Sequence, residues 1–307
     1  MHRVFPLEEL LSTVANLGPN RRNWEMKMEK NIRMSPLQLT GITQENLAQA
    51  TVLSQAESWP HRQEDWGMLL ELSQGVVALR DAAVVGTTLR TNYGPDVSMM
   101  HMIIVGRSER GQGLGRKLME AAMESSEGRE LRLVATQEGL PLYEKMGFQR
   151  EGEITQCQGN VGTVEPPIAG VSQATAEELD DIIQFDRAFF AADRQALLIW
   201  LAQNGRLAIT RSEDGRITGY AALRRFGRGQ VIGPIMASSL TQAQDLIRFF
   251  AAPLAGEFIR IDTDSTSGLV PWLDGIGLTR AGGGVRMRKN AKTEPRSAFG
   301  LCSQALG

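Results

Sequence analysis

Histidine and cysteine are scarce in this chain of 307 residues. There are three histidines, His2, His61 and His101, and two cysteines, Cys157 and Cys302. Two cysteines cannot build a disulfide scaffold or a Cys-rich zinc module, and they suit a reducing cytoplasm. No His-Glu-x-x-His or paired-histidine spacing occurs, so no metal is expected. Charge of one sign is missing too: 33 Lys+Arg against 35 Asp+Glu leave −2. That balance argues against a generic nucleic-acid or membrane-surface binder. No apolar run reaches the roughly 18–20 residues of a membrane span. Glu8 and Glu9 interrupt the short apolar stretch near the start, so it does not read as a signal peptide.

The length suggests two domains. Residues 1–33 are polar and charged around one short helical pattern, Leu7–Val14, and read as an appendage. They are either a poorly ordered arm or an extension preceding a translation start at Met34. From Met34 onward the chain repeats one plan twice. Gly75–Arg80 and Val84–Arg90 form a hairpin pattern, and Gly205–Thr210 and Ile217–Arg224 write the same hairpin again. Leu131–Thr136 leads through a short helix to Gly147-Phe148; Ile259–Thr263 leads through another to Gly277-Leu278. Helical spacing precedes each hairpin, over Thr43–Glu57 and His61–Leu72, and over Ala176–Gln203. The expected architecture is α+β: a β-αα-ββ-β-α-β-α-β unit in residues 34–160 and another in 161–307, joined by a linker at Gly159–Gly170.

Glycine, at 32 residues, is the one excess, and part of it has a location. The apolar strand Ile103-Ile104-Val105 runs into Arg110-Gly111-Gln112-Gly113-Leu114-Gly115-Arg116-Lys117, followed by an amphipathic helix. Glycines let a backbone approach an anion, and the N–H groups of a helix start bind phosphate oxygens. Arg110, Arg116 and Lys117 add charge. A Walker A loop would need Gly-Lys-Ser/Thr, which is absent, and a dinucleotide fingerprint from Gly111 would need glycine where Arg116 stands. What remains is an Arg-Gly-x-Gly-x-Gly pyrophosphate loop.

With Leu142-Tyr143-Glu144-Lys145-Met146-Gly147-Phe148 following that loop, the sequence resembles the GNAT superfamily of N-acetyltransferases. The resemblance is strong over about Ser35–Gly159. The second half resembles the degenerate C-terminal domain of tandem GNAT proteins. It implies two tandem GNAT-like domains, each a mixed, mostly antiparallel sheet flanked by helices, with a catalytic domain in 34–160 and a degenerate one in 161–307. It implies transfer of an acetyl or other short acyl group from acyl-CoA, with acetyl-CoA as co-substrate, to a small-molecule or peptide amine. No nucleic acid or membrane partner is implied, and the protein is expected as a monomer or homodimer. The acyl carbonyl would meet main-chain donors at Ile103–Val105. Coenzyme A would lie along Arg110–Lys117 and Gln137, the latter standing where many relatives have Asn. Tyr143 matches the family's general acid.

The base is less defined. His101 shares a side with Ile103 and Val105 if its strand alternates regularly, and it is the candidate, with a water chain or Asp96 as alternatives. Trp59, His61 and Trp66 are candidates for the acceptor site. Asp262 and Asp264 could recognise a cationic acceptor, and Asp186, Asp193 and Arg194 could form an internal ion pair. The second half lacks the basic loop, having Ile232-Gly233-Pro234 in its place, and has Leu273 where Tyr143 would stand. A non-catalytic acyl-CoA sensor or partner-binding module is the alternative; retention of both loop and Tyr143 favours catalysis. The second half also shows two closing strands, Leu278–Lys289 and Arg296–Ser303. The first half shows only Phe148–Gln158 before Pro166-Pro167, so its last strand is either short or supplied by the other domain.

Overall fold

The computed structural model describes residues 36–126, 128–168, 170–292 and 298–307. The expected helix at Leu7–Val14 and the start of the expected strand at Arg296 lie outside these residues. Two copies of one unit share a continuous 12-stranded sheet. The first copy runs β1 (Gln38–Gly41), α1 (Leu47–Ala56), α2 (Gln63–Glu71), β2 (Gln74–Arg80), β3 (Ala83–Tyr93), β4 (Val97–Val105), α3 (Leu114–Met123), β5 (Glu130–Ala135), α4 (Leu140–Lys145) and β6 (Gln149–Asn160). The second runs β7 (Val171–Gln173), α5 (Leu179–Phe190), α6 (Gln195–Asn204), β8 (Arg206–Arg211), β9 (Ile217–Phe226), β10 (Gly229–Ala237), α7 (Leu240–Ala251), β11 (Phe258–Asp264), α8 (Leu269–Gly275) and β12 (Thr279–Lys289). The repeat read from the sequence is therefore the repeat in space. The linker is shorter than expected, because Gly159 and Asn160 belong to β6.

The strand order settles the question of the last strand. It is β1-β2-β3-β4-β5-β12-β6-β11-β10-β9-β8-β7. Strand β12, from the second half, lies between β5 and β6 of the first, antiparallel to both. Reciprocally, β6 lies between β12 and β11. Each copy thus donates a strand to the other, and the described residues of 161–168 form no strand. The expected closing strand Arg296–Ser303 is also corrected. Its described part makes one bridge, Gly300 to Ile235, and is otherwise irregular.

Packing follows from periodicity. In α3 the buried residues Leu114, Leu118, Met119 and Ala122 recur at three- and four-residue spacing, and the opposite face carries Arg116, Lys117 and Glu120. The main apolar core is shared: Trp66, Leu89 and Met99 of the first copy join Ile182, Leu197, Met236 and Leu306 of the second. A separate cluster under the first copy includes Tyr143, Met146 and Phe148 with Val285 and Met287 of the donated strand. A buried ion pair stitches the second copy to the closing segment. Arg194 donates to both oxygens of Asp186, at 3.1 and 2.5 Å, and to the main-chain oxygen of Gly307 at 3.0 Å. The Tyr220 hydroxyl also donates to Asp186. Asp193 pairs with Arg187 instead.

Candidate active site

Two irregularities in the first copy open a wedge. Strands β4 and β5 run parallel and pair only over Val97–Met99 and Glu130–Arg132, then diverge. On its other edge, β4 places Met102 and Ile103 opposite the single residue Thr88 of β3, a β-bulge. Met102 sits at φ 49°, and the Thr87 hydroxyl donates to its carbonyl at 2.7 Å. This bulge ends the regular alternation expected of His101, Ile103 and Val105. Beyond Met99, the edge of β4 that faces β5 has lost its strand partner, so main-chain donors there are available to a ligand.

A groove of about 730 Å³ runs out from the wedge. Ile103, Ile104, Val105, Arg110, Gly111, Gly113, Leu114, Gly115, Arg116 and Gln137 line it. Gln112 and Lys117 do not: Gln112 turns back to the Ser108 carbonyl, and Lys117 is exposed outside the groove. Gly111 and Gly113 adopt φ 76° and 79°, which L side chains rarely take, and a Cβ on either would meet nothing. Gly113 ends at the N-terminus of α3 with no side-chain cap, leaving the first N–H groups of the helix for an anion. Arg110 is less free than its position suggests. It pairs with Glu57 at 2.6 Å and Glu138 at 3.5 Å and donates to the Val105 carbonyl.

A second cavity, of about 300 Å³, adjoins the groove and shares Trp59, Ile103, Thr136 and Tyr143 with it. Tyr143 therefore stands at the junction. Its ring packs edge-on against Phe148, and a Cβ on Gly139 would come within 2.8 Å of it. Burial pushes its phenol above the usual value, so it keeps its proton at neutral pH. His61 and His101 line this cavity as well. The Nε2 of His101 lies 2.9 Å from the Thr91 hydroxyl and 3.3 Å from that of Ser73, and its Nδ1 has no partner. Burial, with a contribution from His61, lowers it to about 3. Burial and then Arg260 lower His61 to about 4. Both rings are thus neutral near pH 7.

Comparison with known proteins bears on both copies. Residues 71–150 match one family model described as "Acetyltransferase (GNAT) domain", and residues 182–299 match another with the same description.

The chain is a tandem GNAT protein.

Among its relatives is an uncharacterised N-acetyltransferase of Bacillus subtilis (strain 168), YitH, 32% identical over 53% of this chain and 59% of that protein. Another is the holothin acyltransferase of a Pseudoalteromonas species (strain SANK 73390), 27% identical over 53% of this chain and 55% of its length. The matches thus span between half and three-fifths of these relatives. Among solved structures, a proposed acetyltransferase from Pyrococcus horikoshii superposes with a TM-score of 0.74 at 19% identity, over 88% of this chain and 96% of that one. A tandem GNAT protein of the clavulanic acid pathway gives 0.57 at 14% identity, over 85% and 100%. At these identities the structures speak for the fold. Among the described residues, no helix is long and apolar enough to cross a membrane, and no group of acidic, Cys and His side chains could hold a metal.

The second GNAT copy repeats the wedge and closes it. Strands β10 and β11 pair only at Gln230–Val231, and β10 bulges at Gly233-Pro234. Here the chain's own closing segment enters: Gly300 exchanges both main-chain bonds with Ile235, and the Leu301 N–H donates to the Asp262 carbonyl. A Cβ on Gly233 would lie 2.0 Å from the Leu301 carbonyl, so the fit is tight. At the start of α7 the Ser239 hydroxyl caps the Gln242 N–H, where Gly113 leaves the first copy uncapped.

Several residues proposed from sequence sit elsewhere. Trp66 is a fully buried core residue whose indole donates to Ser54, and it does not line the second cavity. Asp96 is not in either cavity. Asp262 and Asp264 are buried and neutralised by Arg260 and Arg286, so neither faces a cationic acceptor. The sequence reading missed the second copy's share of the cavity: Phe226, Arg228, Arg260, Ala281–Gly283, Ser303 and Gln304. One signal was available, three consecutive glycines, Gly282-Gly283-Gly284, inside an otherwise strand-like run. Gly283 needs its small size, since a Cβ would lie 1.9 Å from the Ile154 carbonyl across the donated strand.

Proposed function

We propose that this protein transfers an acetyl or other short acyl group from acyl-CoA to an amine, in its first copy, within a ternary complex. The observation that carries this reading is the junction at Tyr143, where an uncapped glycine-rich groove meets a separate polar cavity. Coenzyme A lies along the groove with its pyrophosphate on the N–H groups from Gly111 to Gly115. The acyl carbonyl enters the wedge at the Met102–Ile103 bulge. Fixed main-chain N–H groups there stabilise the charge that develops on its oxygen.

The acceptor nitrogen approaches from the cavity as a neutral amine. Its lone pair forms the C–N bond, and the C–S bond breaks. Tyr143 gives its hydroxyl proton to the departing thiolate and is reprotonated from solvent. The nitrogen loses a proton to water or to His101. With Nε2–H donated to Thr91, the His101 Nδ1 presents a lone pair for that N–H. At about 3, His101 is too weakly basic to strip an ammonium ion, so it acts on the proton that becomes acidic as the C–N bond forms. The second copy contributes walls to the acceptor cavity and takes no acyl-CoA, its wedge being filled by residues 299–302.

The test is Tyr143→Phe, assayed by CoA release with a turned-over amine. Turnover should fall about a hundredfold, the lower end of acid-base contributions, with acetyl-CoA affinity unchanged. Unchanged turnover would remove Tyr143 from the reaction. Binding of acetyl-CoA without transfer to any primary amine would favour a sensor.

A further inference from the structure

The charges around the acceptor cavity are unbalanced. No Asp or Glu is among the described residues that line it, whereas Arg228 and Arg260 are. Arg260 is matched by Asp262, at 3.0 Å to each oxygen, and Gln304 takes a further bond to that carboxylate. Arg228 is exposed at the rim, lies over the Phe258 ring, and has no carboxylate partner among the described residues. Behind the wall stands a third guanidinium. Arg224 is 4% exposed, yet it donates only to the carbonyls of Arg225 and Cys302, and its Nε has no partner. Its guanidinium and that of Arg260 lie 4.9 and 5.2 Å from the ring of Phe226, which lines the cavity. Nearby Asp65 is already bound to Arg62 and to the Gly227 N–H. Three guanidinium groups therefore face one available carboxylate.

A buried cation without a counter-ion is unfavourable, and an anionic ligand relieves it. Two unpartnered nitrogens, Nδ1 of His61 and of His101, belong to neutral rings that line the same cavity. The cavity is thus built for hydrogen bonding to a neutral amine at the wedge and for negative charge at the second copy's wall. Its volume, about 300 Å³, suits a small molecule.

Resting on the acyl-transfer reading, we propose that the acceptor is a small primary amine that carries an acidic group, carboxylate or phosphate, held by Arg228 with the field of Arg224. A polyamine or other polycation is disfavoured by the same charges.

The test reads binding of N-acetylated products in the presence of CoA, so it does not depend on turnover. The probes are N-acetylglycine, N-acetylphosphoethanolamine, N-acetylglycinamide and N-acetylspermidine, titrated calorimetrically into the full chain. At least one acidic product should bind tenfold or more tightly than the amide, in line with a charge-assisted contact. Which acidic product binds more tightly distinguishes carboxylate from phosphate. Arg228→Ala should abolish that preference, and Arg224→Met should reduce it. Because Arg228 is exposed, its variant remains informative if Arg224→Met fails to fold. Equal binding of acid and amide, tightest binding of N-acetylspermidine, no binding of either acidic product, or an unchanged preference in Arg228→Ala would each overturn the proposal. Transfer to neutral amines with no effect of Arg228→Ala would sink this inference alone. Product binding without transfer to any amine would instead sink the acyl-transfer reading.

Discussion

Truncating Met287 to alanine tests whether a strand encoded in the second half holds up the first. Met287 is 1% exposed and lies opposite Leu133 of β5 and Arg150 of β6. Its side chain shares a cluster with Leu131, Tyr143, Met146 and Phe148, all from the first copy. Removing a buried methionine side chain loses transfer energy and leaves a cavity, at about 2–5 kcal/mol. With about 3 kcal/mol, and a urea slope of about 3 kcal/mol/M for a chain of this size, the midpoint should fall by about 1 M at constant slope. Urea unfolding followed by far-UV circular dichroism gives that shift. Native-state hydrogen exchange of peptides spanning Leu131–Ala135 and Gln149–Gln158 shows where the loss is felt. Both first-copy segments should lose protection together with β12. If β5 keeps wild-type protection while only second-half amides open, the exchanged strand does not couple the two copies and the reasoning fails.

Two further predictions rest on other buried groups. Asp186→Asn leaves the buried Arg194 without its counter-ion and weakens the Tyr220 bond, so thermal or urea unfolding should show a loss of about 3–5 kcal/mol. A neutral cost would mean that the Gly307 carbonyl, the Tyr220 hydroxyl and the Phe190 ring beneath Arg194 suffice. His61 and His101 are lowered by burial to about 4 and about 3, so the folded protein holds them neutral where the unfolded chain takes up protons. Their contribution to stability is complete above about pH 6.5 and is lost as the pH falls toward 4, at up to about 1.4 kcal/mol per pH unit for each ring. Urea midpoints measured from pH 7.5 to 4.5 should drop over that window, and a His61→Gln/His101→Gln double variant should show a shallower drop. Equal slopes would show that the histidines are not buried neutral.

The glycine-rich turn ahead of α3 was legible because its signal is local. Gly111, Gly113 and Gly115 are spaced for one turn and one helix start, and backbone freedom at those positions follows from composition. The duplicated plan was legible for the same reason, since hairpins and amphipathic helices each carry a short period. The facing of His101 was not legible, because the bulge that moved Met102 into the left-handed region and broke the alternation leaves no mark in periodicity, although His101 and Ile103 still line one cavity. Trp66 was misjudged because an aromatic residue on a helix facing the core and one facing a cavity read alike; the bond from its indole to Ser54 decides the matter.

By itself, then, the sequence determined the two copies, the glycine-rich turn before a helix in the first and its absence from the second. Each of these depends on residues close together in the chain. Tertiary structure alone decided that β6 and β12 change places, that residues 299–302 fill the second wedge, and that Arg228, Arg260 and Gln304 wall the cavity beside Tyr143. Those contacts join positions far apart in the chain, from Leu301 and Asp262 to Met287 and Arg150. What selects them is which edge of a sheet is left unpaired and which apolar face is left uncovered, and both exist only once the strands have assembled.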